Sequence, residues 1–89
     1  MIELELAIEN RLGLHARAAA KLVQTASRFK SAVKIRKNGE EVDGKSILGI
    51  LLLAASQGTR ITIWVSGEDE ADALAAVQDL LARRFDEEE

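Results

Sequence analysis

The chain has 89 residues, no cysteine, a single histidine and a formal net charge of −3 at neutral pH. That length suits one domain, residues 1–89, burying roughly 60–65% of the surface its unfolded chain exposes. Without cysteine there is no disulfide framework and no thiolate chemistry, and one histidine is too few for an ordinary zinc cluster, so neither metal nor cofactor is expected.

Ile2, Leu4, Leu6 and Ile8 alternate with Glu3, Glu5 and Ala7, the period-2 pattern of a strand with one buried face. The same stretch carries carboxylates where a signal peptide needs basic residues, so a cytoplasmic protein is expected. Glu9 to Leu14 then form a loop that delivers His15 to the start of a helix running from Ala16 to about Ser27. Alanine, leucine, lysine and arginine favour that helix, and Ala19, Leu22, Val23 and Ala26 recur on one stripe of it. His15 is therefore the N-cap. The first amides of a helix lack intrahelical partners and lie at the positive end of its dipole, so an anion held at His15 meets donors already aimed at it. Arg17 adds a charged fork suited to phosphate or carboxylate oxygens. An imidazole nitrogen can accept a phosphoryl group covalently, so the combination reads as a nucleophile with an anion cradle. The spacing alone serves a purely structural histidine equally well.

Val33 and Ile35 alternate with Lys34 and Arg36 in a second strand, and Asn38-Gly39 is a two-residue hairpin signal leading to a return strand over Glu40 to Asp43. Arg28, Lys30, Lys34, Arg36 and Lys37 form a locally basic segment within an acidic chain. It reads as solvated faces, and no nucleic-acid partner is expected. Ser46 is a good N-cap for the short helix that follows, which is apolar nearly all round from Ile47 to Ala55. The run is far short of the ~20 residues of a membrane span, so no membrane insertion is expected. One face of it must be core. Two-layer packing leaves the other uncovered, so some of Ile47, Leu48, Leu51 and Leu52 should be exposed.

After the turn Gln57-Gly58-Thr59, Ile61, Ile63 and Val65 alternate with Thr62, Trp64 and Ser66 in a last strand, which puts Trp64 on the face away from the core. Glu68, Asp69 and Glu70 suit the N-terminus of a third helix. Its stripe of Leu74, Val77, Leu81 and Phe85 runs to Arg83-Arg84 at the other end. Residues 86–89, all acidic, read as a frayed, solubilising tail. The order is β-α-β-β-α-β-α, which predicts an α+β, open-faced two-layer sandwich with three helices on one face of a four-stranded sheet.

One motif points elsewhere. Gly39 to Ser46 satisfies G-x-x-x-x-G-K-[ST], the phosphate-binding loop of nucleotide hydrolases. Glu40, Glu41 and Asp43 would repel a polyphosphate there, Gly39 is used by the hairpin, and the element order cannot build the parallel sheet on which such loops sit.

Gly13-Leu14-His15-Ala16-Arg17, with Ala19 and Lys21-Leu22, resembles the active-site segment of the HPr family, phosphocarriers of the bacterial phosphoenolpyruvate-dependent phosphotransferase system. The resemblance extends to Asp43-Gly44-Lys45-Ser46-Ile47, to Gln57-Gly58, and to the length and order of elements over essentially the whole chain. It implies that His15 takes a phosphoryl group on Nδ1 from Enzyme I and passes it to an EIIA domain, with Arg17 helping to hold the phosphate; the amides of Ala16 and Arg17 complete the anion cradle expected at the helix start. Such a protein is a stoichiometric intermediate rather than a turnover enzyme. The resemblance also implies an antiparallel sheet in the order 1-4-2-3, a monomer, and a docking surface of Ala16, Ala20, Ile47, Leu48 and Leu51. Ser46 corresponds to the serine that an HPr kinase/phosphatase modifies in some members, and otherwise it is only a cap. Most members carry proline where this chain has Ala18, and alanine there is similar to nitrogen-type carriers. The residues admit either sugar uptake or nitrogen-type regulation. The alternative is a regulatory module on the same fold, controlled at Ser46 without phosphoryl relay.

Overall fold

A computed structural model describes residues 1–87. Four strands and three helices follow in the expected order: β1 (Ile2–Ala7), α1 (Ala16–Ser27), β2 (Ala32–Lys37), β3 (Glu40–Asp43), α2 (Ile47–Leu53), β4 (Arg60–Ser66) and α3 (Glu70–Ala82). A 3-10 turn, Arg84–Asp86, follows α3. The strands form one sheet in the order β1-β4-β2-β3, every neighbouring pair antiparallel. This is the open-faced sandwich in the strand order that the family resemblance implies.

The register explains how one face became core. Leu4 lies opposite Ile63 and Ile63 opposite Ile35, while Ile2 and Val33 both pair with Val65. Because side chains alternate along a strand, these pairs stack on the helix side, where Ile35, Ile63 and Val65 are fully buried. The helices supply Ala19, Leu22 and Ala26 from α1, Ile50 and Leu53 from α2, and Ala73, Val77, Leu80 and Leu81 from α3. Each large aliphatic side chain removed from water contributes on the order of 1.5–3 kcal/mol before entropy is charged against it. The opposite face carries Glu3, Lys34, Arg36 and Trp64, and the Lys34 ammonium sits 5.0 Å from the Trp64 ring centroid. Trp64 is thus on the outer face, as the alternation predicts.

The local signals hold. Asn38 and Gly39 have φ of 50° and 85°, the positive pair that a tight hairpin needs. Ser46 caps α2, its hydroxyl accepting the Gly49 amide at 3.1 Å. The phosphate-loop pattern is disposed of structurally as well. The Lys45 ammonium donates to the Phe29 carbonyl at 2.8 Å, and the Asp43 carboxylate accepts the Lys45 amide. Within the basic segment, Lys34 and Arg36 both pair with Glu41, and Lys30 pairs with Glu68.

The C-terminal segment departs from the sequence reading. The expected helical stripe through Phe85 stops at Ala82, and Arg84, Phe85 and Asp86 adopt positive φ between 55° and 60°. That left-handed turn costs conformational energy for side chains with a Cβ. It is offset by burying the Phe85 ring, which ends 1% exposed. The turn also reverses the chain. The expectation of a tail frayed from residue 86 is corrected at Asp86 and Glu87, which fold back over the N-terminus of α1; residues 88 and 89 lie outside the described residues.

Candidate phosphoryl-accepting site

His15 is the N-cap of α1, in extended conformation, and its carbonyl accepts the Ala19 amide at 2.8 Å to begin the helical ladder. What holds it there is the preceding loop. Gly13 has φ +66°, and a Cβ at that position would lie 2.5 Å from the Ala55 carbonyl oxygen, so glycine is required on two grounds. The next amide, Leu14, donates to that same carbonyl at 2.9 Å. Asn10, fully buried, closes the other side of the loop. Its backbone carbonyl accepts the Gly13 amide, and its side-chain amide donates to the Gly13 carbonyl at 2.7 Å.

The His15 side chain is 27% exposed and lines an open cavity of about 840 Å³. Arg17 and Lys21 from α1 and Arg11 from the loop line it too, facing Asp86 and Glu87. Lys21 reaches across, its ammonium donating to the Phe85 carbonyl at 2.7 Å. The Glu87 carboxylate, only 9% exposed, meets His15 Nε2 at 2.5 Å and accepts from the Asn10 side-chain amide at 3.1 and 3.3 Å. Burial opposes its ionisation. The hydrogen bonds from His15 and Asn10 and the charges of His15 and Arg17 outweigh that cost and hold it below the usual carboxylate range. A carboxylate therefore already lies where cations and a histidine converge, which is the chemistry of an anion site.

Of the residues singled out in the sequence, His15, Ala16, Arg17 and Ala20 lie together on the first turns of α1, with Ala16 and Arg17 exposed. Ile47, Leu48 and Leu51 are exposed on α2, which packs beside α1. Leu52, also expected to be open, is 70% exposed, and Leu12, in the loop before His15 and outside the expected docking set, is 66% exposed. Leu52 follows from the helix period. Leu12 has only the weak signal of a leucine among polar loop residues. Asn10 and Glu87 had no signal at all, since neither lies in a periodic or motif-bearing stretch. Ala18 proves fully buried, so its side chain belongs to the core and not to the cavity.

Residues 2–83 match the family model described as PTS HPr component phosphorylation site. The chain belongs to the HPr family. Among curated relatives, the phosphocarrier protein HPr of Xylella fastidiosa is 53% identical over 99% of each chain, and that of Cupriavidus necator is 48% identical over the full length of both. Among solved structures, HPr-C-His from Thermoanaerobacter tengcongensis superposes with a TM-score of 0.96 at 44% identity, each chain covered completely. An HPr dimer from the same organism aligns with a TM-score of 0.79 at 44% identity over 98% of this chain and 100% of the other. With HPr-family membership comes the general role of phosphocarrier in the phosphotransferase system.

Proposed function

We propose that this HPr-family chain accepts a phosphoryl group from phospho-Enzyme I on His15 Nδ1 and passes it to an EIIA domain, as a cytoplasmic monomer. The supporting observation is the seat of His15: an N-cap imidazole at the start of α1 whose Nε2 is engaged by a carboxylate, in a cavity that Arg17 also lines. In transfer, the Nδ1 lone pair attacks phosphorus while the bond from phosphorus to the donor breaks, and the donor keeps that electron pair. Arg17 and the amides of Ala16 and Arg17 offset the charge on the oxygens in flight. No turnover chemistry remains with the protein, so it is a carrier and not an enzyme.

Ala16, Ala20, Ile47, Leu48 and Leu51 serve as the docking surface for both partners, widened by Leu12 and Leu52. Ser46, half-buried at the edge of this surface, is the position at which an HPr kinase/phosphatase would act, and its hydroxyl would give up the Gly49 cap bond on modification. Incubation with phosphoenolpyruvate and Enzyme I tests the reading. One acid-labile phosphate per chain is expected, absent from His15→Ala, which keeps its fold because the imidazole makes no cap hydrogen bond to the helix. Undiminished labelling of His15→Ala would remove His15 from the role. A wild-type chain that takes no phosphate would favour the regulatory module instead.

A further inference from the structure

We propose that Glu87 is a positioning residue for the His15 ring, fixed in place by Asn10: its carboxylate accepts the proton of Nε2 and so leaves Nδ1 as the free lone pair. The inference deepens the phosphoryl-acceptor reading and rests on it for its biological meaning, although its structural content stands apart from any partner.

The geometry is that of a second-side partner to a working imidazole. A neutral histidine carries its proton on one ring nitrogen only, and which one is set by the hydrogen bond that nitrogen makes. Here Nε2 lies 2.5 Å from a carboxylate oxygen that has no proton to give, so in the neutral ring Nε2 is the donor and Nδ1 the acceptor. The carboxylate is itself held. Asn10, with no exposed surface, donates to both of its oxygens and to the Gly13 carbonyl, so one buried amide ties the ring's partner to the loop that places the ring. The left-handed turn at Arg84–Asp86, secured by the buried Phe85 and by Lys21, delivers Glu87 to that point. Among the described residues, the charged groups that line the cavity with His15 are Arg11 from its loop, Arg17 and Lys21 from α1, and Asp86 and Glu87 from the turn after α3. Among them Glu87 hydrogen-bonds the ring.

The consequence for transfer follows from charge balance. When Nδ1 attacks, the new phosphorus–nitrogen bond forms as the bond to the donor breaks, and the ring, keeping its Nε2 proton, becomes an imidazolium. A carboxylate on Nε2 stabilises that charge as it develops, as the buried carboxylate of a catalytic triad does. Outer partners that orient an imidazole whose other nitrogen does the work are worth on the order of 10-fold in activity or more.

Potassium phosphoramidate, a small donor that phosphorylates histidine with loss of ammonia, separates this role from partner recognition. With wild type, phosphorus NMR should show the Nδ1 isomer alone, and the Nε2 proton should appear as a slowly exchanging, strongly downfield signal. In Glu87→Ala that signal should vanish and the Nε2 isomer should appear beside the first. In Glu87→Gln, which keeps an acceptor without the charge, the site preference should persist while transfer from Enzyme I slows on the order of 10-fold at saturating Enzyme I, with half-saturation unchanged. The same isomer ratio in wild type and Glu87→Ala overturns the inference, as does faster transfer in either variant, which would make Glu87 an obstruction. Failure of Enzyme I to label a wild-type chain that phosphoramidate does label would count against the carrier reading and leave the role of Glu87 standing.

Discussion

Gly13 lies against the backbone of Ala55 so closely that a methyl group on it would stand 2.5 Å from the Ala55 carbonyl oxygen and 2.9 Å from the Ser56 Cα. The loop carrying His15 is thereby locked to the segment that follows α2, and the two sides of the proposed docking surface become one rigid unit.

Gly13→Ala should therefore destabilise the fold and misplace the histidine together. Its φ of +66° is costly for alanine, and the clash is with backbone, which cannot swing aside. A loss of about 2 kcal/mol or more is expected, roughly 10 °C in melting temperature for a chain of this size. Calorimetry and the phosphorylation rate should fall together; full stability with full rate would mean that the loop can relax away from Ala55.

The two faces of α2 should respond oppositely to substitution. Leu48 is 65% exposed, so Leu48→Glu should change stability by no more than about 0.5 kcal/mol while weakening association with Enzyme I. Leu53, at 2%, is core, and Leu53→Ala should cost about 2–5 kcal/mol. Denaturant unfolding of both variants, with a binding titration of Leu48→Glu, checks the pair.

Asp69 ties the start of α3 to the loop between α1 and β2. One carboxylate oxygen accepts the Ser31 amide at 2.9 Å and its hydroxyl at 2.5 Å, and the other accepts the Lys30 amide at 2.9 Å. The hydroxyl of Ser31 and the amides of Lys30 and Ser31 hold its pKa down to about 2, against the opposing effect of burial. Because the folded value lies below the unfolded one, this contribution is fully present above about pH 4 and is lost as pH falls towards 2. Asp69→Asn should melt lower than wild type at neutral pH, and the difference should close through that acidic window. A constant difference across it would show that the charge is irrelevant.

Arg17→Ala should still accept phosphate, since the nucleophile and the first-turn amides remain, but transfer to an EIIA domain should slow by ~10²-fold as the charge in flight loses a partner. Stopped-flow transfer at the wild-type rate would take Arg17 out of the cradle.

Ser46→Asp puts a negative charge at the N-terminus of α2, where the dipole favours it, while Asp can keep the cap, so its melting temperature should not fall. Beside the exposed Ile47 and Leu48, that charge should slow phosphorylation by Enzyme I, and the deficit should shrink with added salt. Equal rates for Ser46→Asp and Ser46→Ala at every ionic strength would leave Ser46 as a cap alone.

Much that depends on neighbours in sequence is legible in the chain itself. Alternation marked the faces of β1, β2 and β4, Asn38-Gly39 marked the hairpin, Ser46 marked its cap, and the step from loop to alanine-rich helix marked His15 and Arg17. These are local preferences, decided by sterics and by hydrogen bonds within a few residues. The strand order was legible only through family resemblance, because strands that pair at long range leave no periodic trace of which partner they choose. The end of the chain is illegible for the same reason. A stripe of Leu74, Val77, Leu81 and Phe85 looks like one helix, but α3 ends at Ala82 and Phe85 is buried through a left-handed turn that no local preference favours. That turn brings Glu87 to a histidine 72 positions earlier, and Asn10 to the same carboxylate. Helix period and capping thus place the acceptor, whereas the partner of its second nitrogen is chosen by the packed core, because contacts so distant in sequence exist only once the core has formed.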